Sequence, residues 1–69
     1  MNEIEISVNG ETRTAPPGLS LSGLLEHLGL DPRKVAVERN LEIAPRSGYD
    51  AIEVRPGDRL EIVHFVGGG

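Results

Sequence analysis

The stretch that decides the fold is Ile4–Ala15, IEISVNGETRTA, which contains two short strands and the turn between them. From Ile4 to Val8 apolar and polar residues alternate, and this period of two is typical of a strand with one buried face. Asn9-Gly10 follows at once, and both residues tolerate positive φ, so the dipeptide is a strong hairpin signal. Glu11–Ala15 returns as a second, more polar strand, which Pro16-Pro17 ends because proline cannot donate to a ladder. The sequence therefore predicts an N-terminal β-hairpin.

One amphipathic helix is predicted after the hairpin. Four leucines at i, i+3, i+4 and i+7 form a single apolar stripe suited to packing on a sheet: Leu21, Leu24, Leu25 and Leu28. We expect Ser20 to be the N-cap, with its hydroxyl accepting from an otherwise unpaired backbone N–H. Gly29 is expected in the left-handed conformation that ends a helix, with Leu30 folding back onto the stripe. Pro32 prevents any continuation of the helix.

Three further strands are predicted in the second half of the chain. Residues 34–40 form a third strand with Val35 and Val37 facing inward, and residues 41–44 form a short fourth strand. Asn40 begins the turn between them, whose type stays open because Leu41 fits poorly if that position needs positive φ. A loop at 45–50 and a tight Pro-Gly turn at 55–58 lead to the last strand, 59–66. Asp58 and Glu61 could pass for a carboxylate pair, but a solvated turn and strand face is the better interpretation.

The order of these elements predicts an α+β fold. A mixed sheet of four to five strands that is crossed on one face by one main helix is the β-grasp arrangement. The first and last strands carry the most apolar inward residues, so we expect them to lie side by side at the centre of the sheet. Residues 1–66 are expected to form this domain and residues 67–69 a flexible glycine tail.

Composition narrows the class of function. The 69 residues include no cysteine, so the chain has neither a disulfide nor a thiolate metal site, which is typical of a reducing cytosol. Eleven acidic against seven basic side chains give a net charge of −4, and the only aromatic residues are Tyr49 and Phe65. Nucleic-acid binding needs basic charge and usually stacking rings, so it is not expected. No apolar run approaches the ~20 residues that span a bilayer. We expect a cytoplasmic protein whose partners are proteins with a basic docking face.

Parity along the last strand separates core residues from candidate docking residues. If Leu60 and Ile62 face the helix, Val63 and Phe65 face the opposite side of the sheet, which nothing in this chain covers. We therefore predict that Val63 and Phe65, together with Val66, bind a partner. The alternative is that they cover an edge of the core.

The last strand leads into three glycines, Gly67, Gly68 and Gly69. Residues 66–69 reach roughly 13 Å when fully extended at ~3.3 Å per residue, and glycine needs the least width in a narrow channel. We expect Gly67 and Gly68 to thread such a channel and the carboxylate of Gly69, as the end of the chain, to be the working group. The alternative is a linker without chemistry.

Two segments of the sequence resemble a known protein family. Val37-Glu38-Arg39-Asn40 followed by Glu42-Ile43, and above all Ile62–Gly69 (IVHFVGGG), resemble the sulfur carriers of thiamine thiazole synthesis, the ThiS family of ubiquitin-like β-grasp proteins. The resemblance extends over the whole chain, including its length, hairpin, leucine helix and terminus. Leu41 departs from the pattern, because similar proteins more often carry a small or polar turn residue there.

The resemblance implies a role as a co-substrate rather than an enzyme. An E1-like, ThiF-like adenylyltransferase would use ATP to adenylate Gly69, and a cysteine desulfurase with a persulfide relay would supply the sulfur that displaces AMP. A ThiG-like thiazole synthase would then take sulfur from the Gly69 thiocarboxylate. No stably bound cofactor or metal is implied, and His27 and His64 do not form a predicted metal pair. A carrier similar to the small subunit of molybdopterin synthase and a β-grasp interaction module without chemistry stay open as alternatives.

Overall fold

The computed structural model describes residues 2–65, which form a mixed sheet with one α-helix against one face. The strands are β1 (Ile4–Val8), β2 (Glu11–Ala15), β3 (Val35–Arg39), β4 (Glu42–Ala44) and β5 (Arg59–His64), and the helix is α1 (Leu21–His27). Two single 3₁₀ turns, Pro32–Lys34 and Arg46–Gly48, lie in the connections. The strand order is β2-β1-β5-β3-β4. This is the predicted β-grasp architecture.

The first and last strands lie together at the centre of the sheet, as predicted. β1 and β5 are parallel, with Val8 beside Leu60, and every other pairing in this sheet is antiparallel. A parallel neighbour requires a crossover, and the connection from β1 to β5 contains β2, α1, β3 and β4. The crossover places the helix over the inner face of the sheet and leaves the outer face open.

The hairpin forms at the predicted dipeptide. Asn9 has φ 51° and Gly10 has φ 85°, which are the positive values of a type I′ turn, and Val8 pairs with Glu11. The same turn type recurs between β3 and β4, where Asn40 has φ 53° and Leu41 has φ 73°. The fourth strand therefore begins at Glu42 rather than at Leu41. The third begins at Val35, because Lys34 belongs to the preceding 3₁₀ turn.

Helix α1 has the predicted ends. The Ser20 hydroxyl accepts a hydrogen bond from the Gly23 N–H at 3.0 Å. At the other end Gly29 has φ 81°, its N–H donates to the Glu26 carbonyl, and the Leu30 N–H donates to the Leu25 carbonyl. These two bonds are those of a Schellman motif. Leu30 is partly buried against the core, so the chain turns back as expected.

One hydrophobic core lies between α1 and the inner face of the sheet. Its largest fully buried side chains are Leu21, Leu24, Leu25, Val35, Val37, Val54 and Leu60. The Tyr49 ring is also buried, and its hydroxyl donates to the Val35 carbonyl at 3.1 Å, which ties the loop after β4 to the start of β3. Among residues 2–65, no helix is long and apolar enough to cross a bilayer.

Candidate functional site

The last described residues of the chain have the exposure that strand parity predicts. Leu60 and Ile62 are buried in the core, whereas Val63 is 63% and Phe65 53% exposed on the outer face. The prediction that Val63 and Phe65 lie outside the core is thus confirmed. Their role in partner binding stays a prediction.

A side-chain amide holds the end of β5 against β1. Once the chain leaves β1 at the hairpin, the Asn9 side chain takes the place of the missing backbone. Its Oδ1 accepts from the Ile62 N–H at 2.7 Å, and its Nδ2 donates to the Ile62 carbonyl at 3.1 Å. The parallel ladder is thereby extended to Ile62 by a residue that the hairpin itself places there. Spacing alone does not indicate this contact, because the two residues are 53 positions apart.

On the other side of β5, strand β3 secures the chain further along. Val35 pairs with His64, and the Phe65 N–H donates to the Lys34 carbonyl at 3.0 Å. Phe65 is therefore the last described residue tied to the sheet. The chain beyond Phe65 is therefore attached at a defined point on the sheet.

The Phe65 ring has a cationic neighbour that the sequence did not reveal. The guanidinium carbon of Arg46 lies 4.6 Å from the centre of the ring, within the range of a cation–π interaction. Arg46 stands on the 3₁₀ turn after β4, and Pro45 precedes it as the N-cap residue with φ −65°. Phe65 is thus exposed but not isolated, because Arg46 contacts it from a separate part of the chain.

The interpretation of Asp58 as a solvated turn residue was wrong. Asp58 is 6% exposed and accepts from Arg39 Nε at 2.9 Å, from Asn40 Nδ2 at 3.1 Å and from the Arg55 N–H at 2.9 Å. Burial raises the pKa of Asp58, but the hydrogen bonds from Arg55, Asn40 and Arg39 and the Arg39 charge lower it more, so the net pKa lies below its ordinary value. Asn40 also accepts from the Arg59 N–H at 2.9 Å. The Arg39-Asn40 pair thus fastens the start of β5.

A shallow groove crosses the outer face of the sheet beside Val63. It has a volume of about 290 Å³, and its outward-facing residues include Ala36, Glu38, Ile43, Glu61 and Val63. Ile43 is 78% exposed. Ile43 was not among the docking residues predicted from the sequence, although its position before the inward Ala44 places it on the outer face.

The remaining predicted site residues lie outside the described part of the chain. Nothing in the structure tests the predictions for Val66, Gly67, Gly68 and Gly69, which concern partner binding, the channel and the reactive carboxylate. Within residues 2–65, the His, Asp and Glu side chains form no group of three that could hold a metal ion.

Comparison with known proteins identifies the family. The sequence pattern of the ThiS family matches residues 6–69. A thiazole synthase of Paramagnetospirillum magneticum is 52% identical over 66 residues, which are 96% of this chain but 20% of that protein. The sulfur carrier protein ThiS of Bacillus subtilis is 44% identical over 50 residues, covering 72% of this chain and 76% of the relative. The chain thus spans about a fifth of the length of the thiazole synthases that it matches.

A solved structure agrees with the described fold. The crystal structure of the thiamine biosynthesis protein (ThiS) from Geobacter metallireducens superposes with a TM-score of 0.82 at 35% identity, covering 96% of this chain and all of the other. The family pattern includes the whole of β5 and the glycine tail as well as the hairpin turn. The chain belongs to the ThiS family.

Proposed function

We propose that this protein is a sulfur carrier of thiamine biosynthesis and that the carboxylate of Gly69 carries the sulfur. The observation that carries the proposal is the end of β5: a strand is held from both sides as far as Ile62 and from one side as far as Phe65, and in the sequence Val66 and three glycines follow. A folded domain whose sequence ends in glycines fits a protein whose terminus is processed inside another protein.

The chemistry can be written for Gly69 with all groups balanced. A carboxylate oxygen attacks the α-phosphorus of ATP in the adenylyltransferase, and pyrophosphate leaves. The terminal sulfur of a partner persulfide then attacks the acyl carbon and AMP leaves, which gives an acyl disulfide. A second partner thiol cleaves the S–S bond, leaving a thiocarboxylate on Gly69 and a disulfide on the partner. This chain has no cysteine, so its terminus is the place where it could hold the sulfur.

The described residues fix the point from which the tail departs and offer a surface for a partner protein. Asn9 and Lys34 hold the strand from which the tail departs. Val63 and Phe65 offer apolar surface beside that point, and burial of one Phe side chain in a partner pocket contributes roughly 1.5–3 kcal/mol. Ordering the tail costs about 1–2 kcal/mol per residue, so binding of the domain has to offset the cost of inserting the tail.

The proposed partners follow from this chemistry. They are an E1-like adenylyltransferase that binds the ATP, a cysteine desulfurase with a persulfide relay, and a thiazole synthase that accepts the sulfur. The similarity of this chain to a fifth of two proteins named thiazole synthase supports the choice of acceptor. All of these steps are expected in the cytoplasm.

Intact-mass measurement tests the proposal. Incubation with ATP, the cognate adenylyltransferase and a sulfur source is expected to add the mass difference between sulfur and oxygen to the protein. Deletion of Gly69 is the matched control, since it should abolish the modification and leave Tm unchanged. An unmodified protein in the presence of an adenylyltransferase that is active on another carrier would contradict the proposal. Rescue of a thiamine auxotroph that lacks its carrier then distinguishes the thiamine pathway from other sulfur acceptors.

A further inference from the structure

Two carboxylates face each other on the outer side of the sheet. Glu38 on β3 lies directly opposite Glu61 on β5. Side chains in this relation have Cβ atoms about 4.5–5.5 Å apart, and like charges placed so are destabilising. The ion pairs of residues 2–65 are Asp31–Arg33, Arg39–Asp58 and Glu53–Arg55, and none of them includes either glutamate.

The nearest cations on the two strands do not relieve this repulsion directly. On β5, Arg59 lies two residues before Glu61 on the same face, at the start of the strand. On β3, Arg39 follows Glu38 but faces the inner side and pairs with Asp58. Lys34 precedes the strand in the 3₁₀ turn. The middle of the face therefore presents a pair of negative charges.

Exposed apolar side chains flank the two carboxylates. Ile43 lies directly opposite Glu38 on β4 and is 78% exposed, and Val63 follows Glu61 on the same face at 63% exposure. All four side chains line the groove of about 290 Å³ on this face. The groove thus combines apolar walls with an unneutralised acidic centre, and the whole chain is acidic at −4.

We propose that this groove binds a lysine or arginine side chain of the adenylyltransferase, presented between apolar side chains that contact Ile43 and Val63. This inference rests on the proposed function, in which the adenylyltransferase is the first protein to receive the tail. The groove lies on the same face as Phe65, so a partner that takes in the tail is brought against it. One cation placed between Glu38 and Glu61 pairs with both carboxylates and removes their mutual repulsion at the same time.

This arrangement predicts opposite effects on stability and on binding. Glu61→Gln keeps the size and hydrogen-bonding ability of the side chain but removes the repulsion in the free protein, so Tm should rise by roughly 1–5 °C. The same substitution removes half of the partner cation's counter-charge, so affinity should fall. If Glu61 had only a structural role, the substitution would lower both Tm and affinity, or neither.

The experiment measures binding of the full chain to the cognate adenylyltransferase by titration calorimetry at low and high salt. Glu38→Gln with Glu61→Gln is expected to weaken binding about tenfold at low salt and to flatten the salt dependence, because screening acts on the lost pair. Glu11→Gln with Glu26→Gln is the matched control: it removes the same two charges at exposed positions of β2 and α1, away from the groove. In adenylation assays the Glu38→Gln, Glu61→Gln variant should raise KM and leave kcat unchanged.

The outcomes separate this inference from the proposed function. If the wild type is bound and thiocarboxylated but the Glu38→Gln, Glu61→Gln variant binds as tightly as the Glu11→Gln, Glu26→Gln control, the groove does not receive a cation and the inference is wrong. If the wild type binds but is never adenylated, the proposed function fails. If the Glu38→Gln, Glu61→Gln variant loses both Tm and affinity, the two glutamates serve the fold and the inference is overturned as well.

Discussion

The contact between Asn9 and Ile62 offers a sharp test of how the tail is positioned. Asn9 contributes two separable properties: it adopts φ 51° in the hairpin turn, and its amide makes two hydrogen bonds to the Ile62 backbone. Asn9→Gly keeps the backbone conformation and removes both bonds. Asn9→Ala removes the bonds and keeps a Cβ in the left-handed region, which Ala tolerates less well than Asn.

The magnitudes follow from these two properties. Two hydrogen bonds contribute a net ~0.5–1.5 kcal/mol each, so Asn9→Gly should lower the free energy of unfolding by roughly 1–3 kcal/mol. Asn9→Ala should lose roughly 1–2 kcal/mol more because of the left-handed φ. A domain of this size has a total stability of about 3–10 kcal/mol, and a loss of about 2 kcal/mol corresponds to a fall in Tm of roughly 8–16 °C.

Thermal unfolding measures the loss of stability in each Asn9 variant, and amide hydrogen exchange shows which backbone amides are affected. In Asn9→Gly the Ile62 amide should exchange faster, because its acceptor is Asn9 Oδ1. The amides of Glu61 and Val63 should stay protected in the folded state, because they face β3 in the same hydrogen-bonding register as Phe65. Asn2→Gly, the same change at an exposed position before β1, is the control.

An Asn9→Gly variant with unchanged Tm and an equally protected Ile62 amide would refute the reasoning. It would mean that the side-chain amide adds nothing beyond what solvent provides. Equal stability of Asn9→Gly and Asn9→Ala would instead refute only the part assigned to the positive φ.

Three further predictions concern other parts of the chain. Leu41→Gly should raise Tm by a few degrees, since Leu41 has φ 73° and is 77% exposed, so relief of ~1–2 kcal/mol of strain exceeds the added chain entropy; a lower Tm would contradict this. Phe65→Ala should weaken binding to the adenylyltransferase more than tenfold. Arg46→Ala should weaken it a few-fold, because the cation–π contact that holds the Phe65 ring in place is worth about 0.5–1 kcal/mol. Unchanged Kd values would remove both residues from the docking surface. The contribution of Asp58 to the free energy of unfolding should be fully present above its ordinary pKa of 3.8 and be lost as pH falls through the lowered pKa of the folded state. In urea titrations, the difference in stability between the wild type and Asp58→Asn should therefore shrink as the pH is lowered. A difference that does not depend on pH would count against a buried, charged carboxylate.

The candidate site was predictable where it depends on local chemistry. The alternation along β5 placed Leu60 and Ile62 inside and Val63 and Phe65 outside, because side chains of a strand must alternate between two faces. It did not identify Ile43 as part of the same surface. That residue joins the groove only because β4 pairs with β3, which sets it opposite Glu38.

The error at Asp58 has a physical cause. A Pro-Gly-Asp turn normally faces water, and the sequence contains no local signal that a carboxylate there is covered. Arg39 and Asn40 reach it from the end of a strand nearly twenty positions earlier. The Val-Glu-Arg-Asn segment resembles the family pattern. That its Arg39 and Asn40 bind Asp58 follows only from the pairing of β3 with β5.

The sequence by itself determined which elements this protein forms and in what order. Asn-Gly dictates a hairpin, four leucines with a serine cap and a glycine dictate one helix, and parity dictates the two faces of the last strand, because each of these depends on neighbouring residues alone. The tertiary structure decided which distant groups meet: the Asn9 amide on Ile62, Arg46 over Phe65, and Glu38 against Glu61. Such contacts depend on strand order and register, which arise from burying the whole apolar surface at once and which no local pattern encodes.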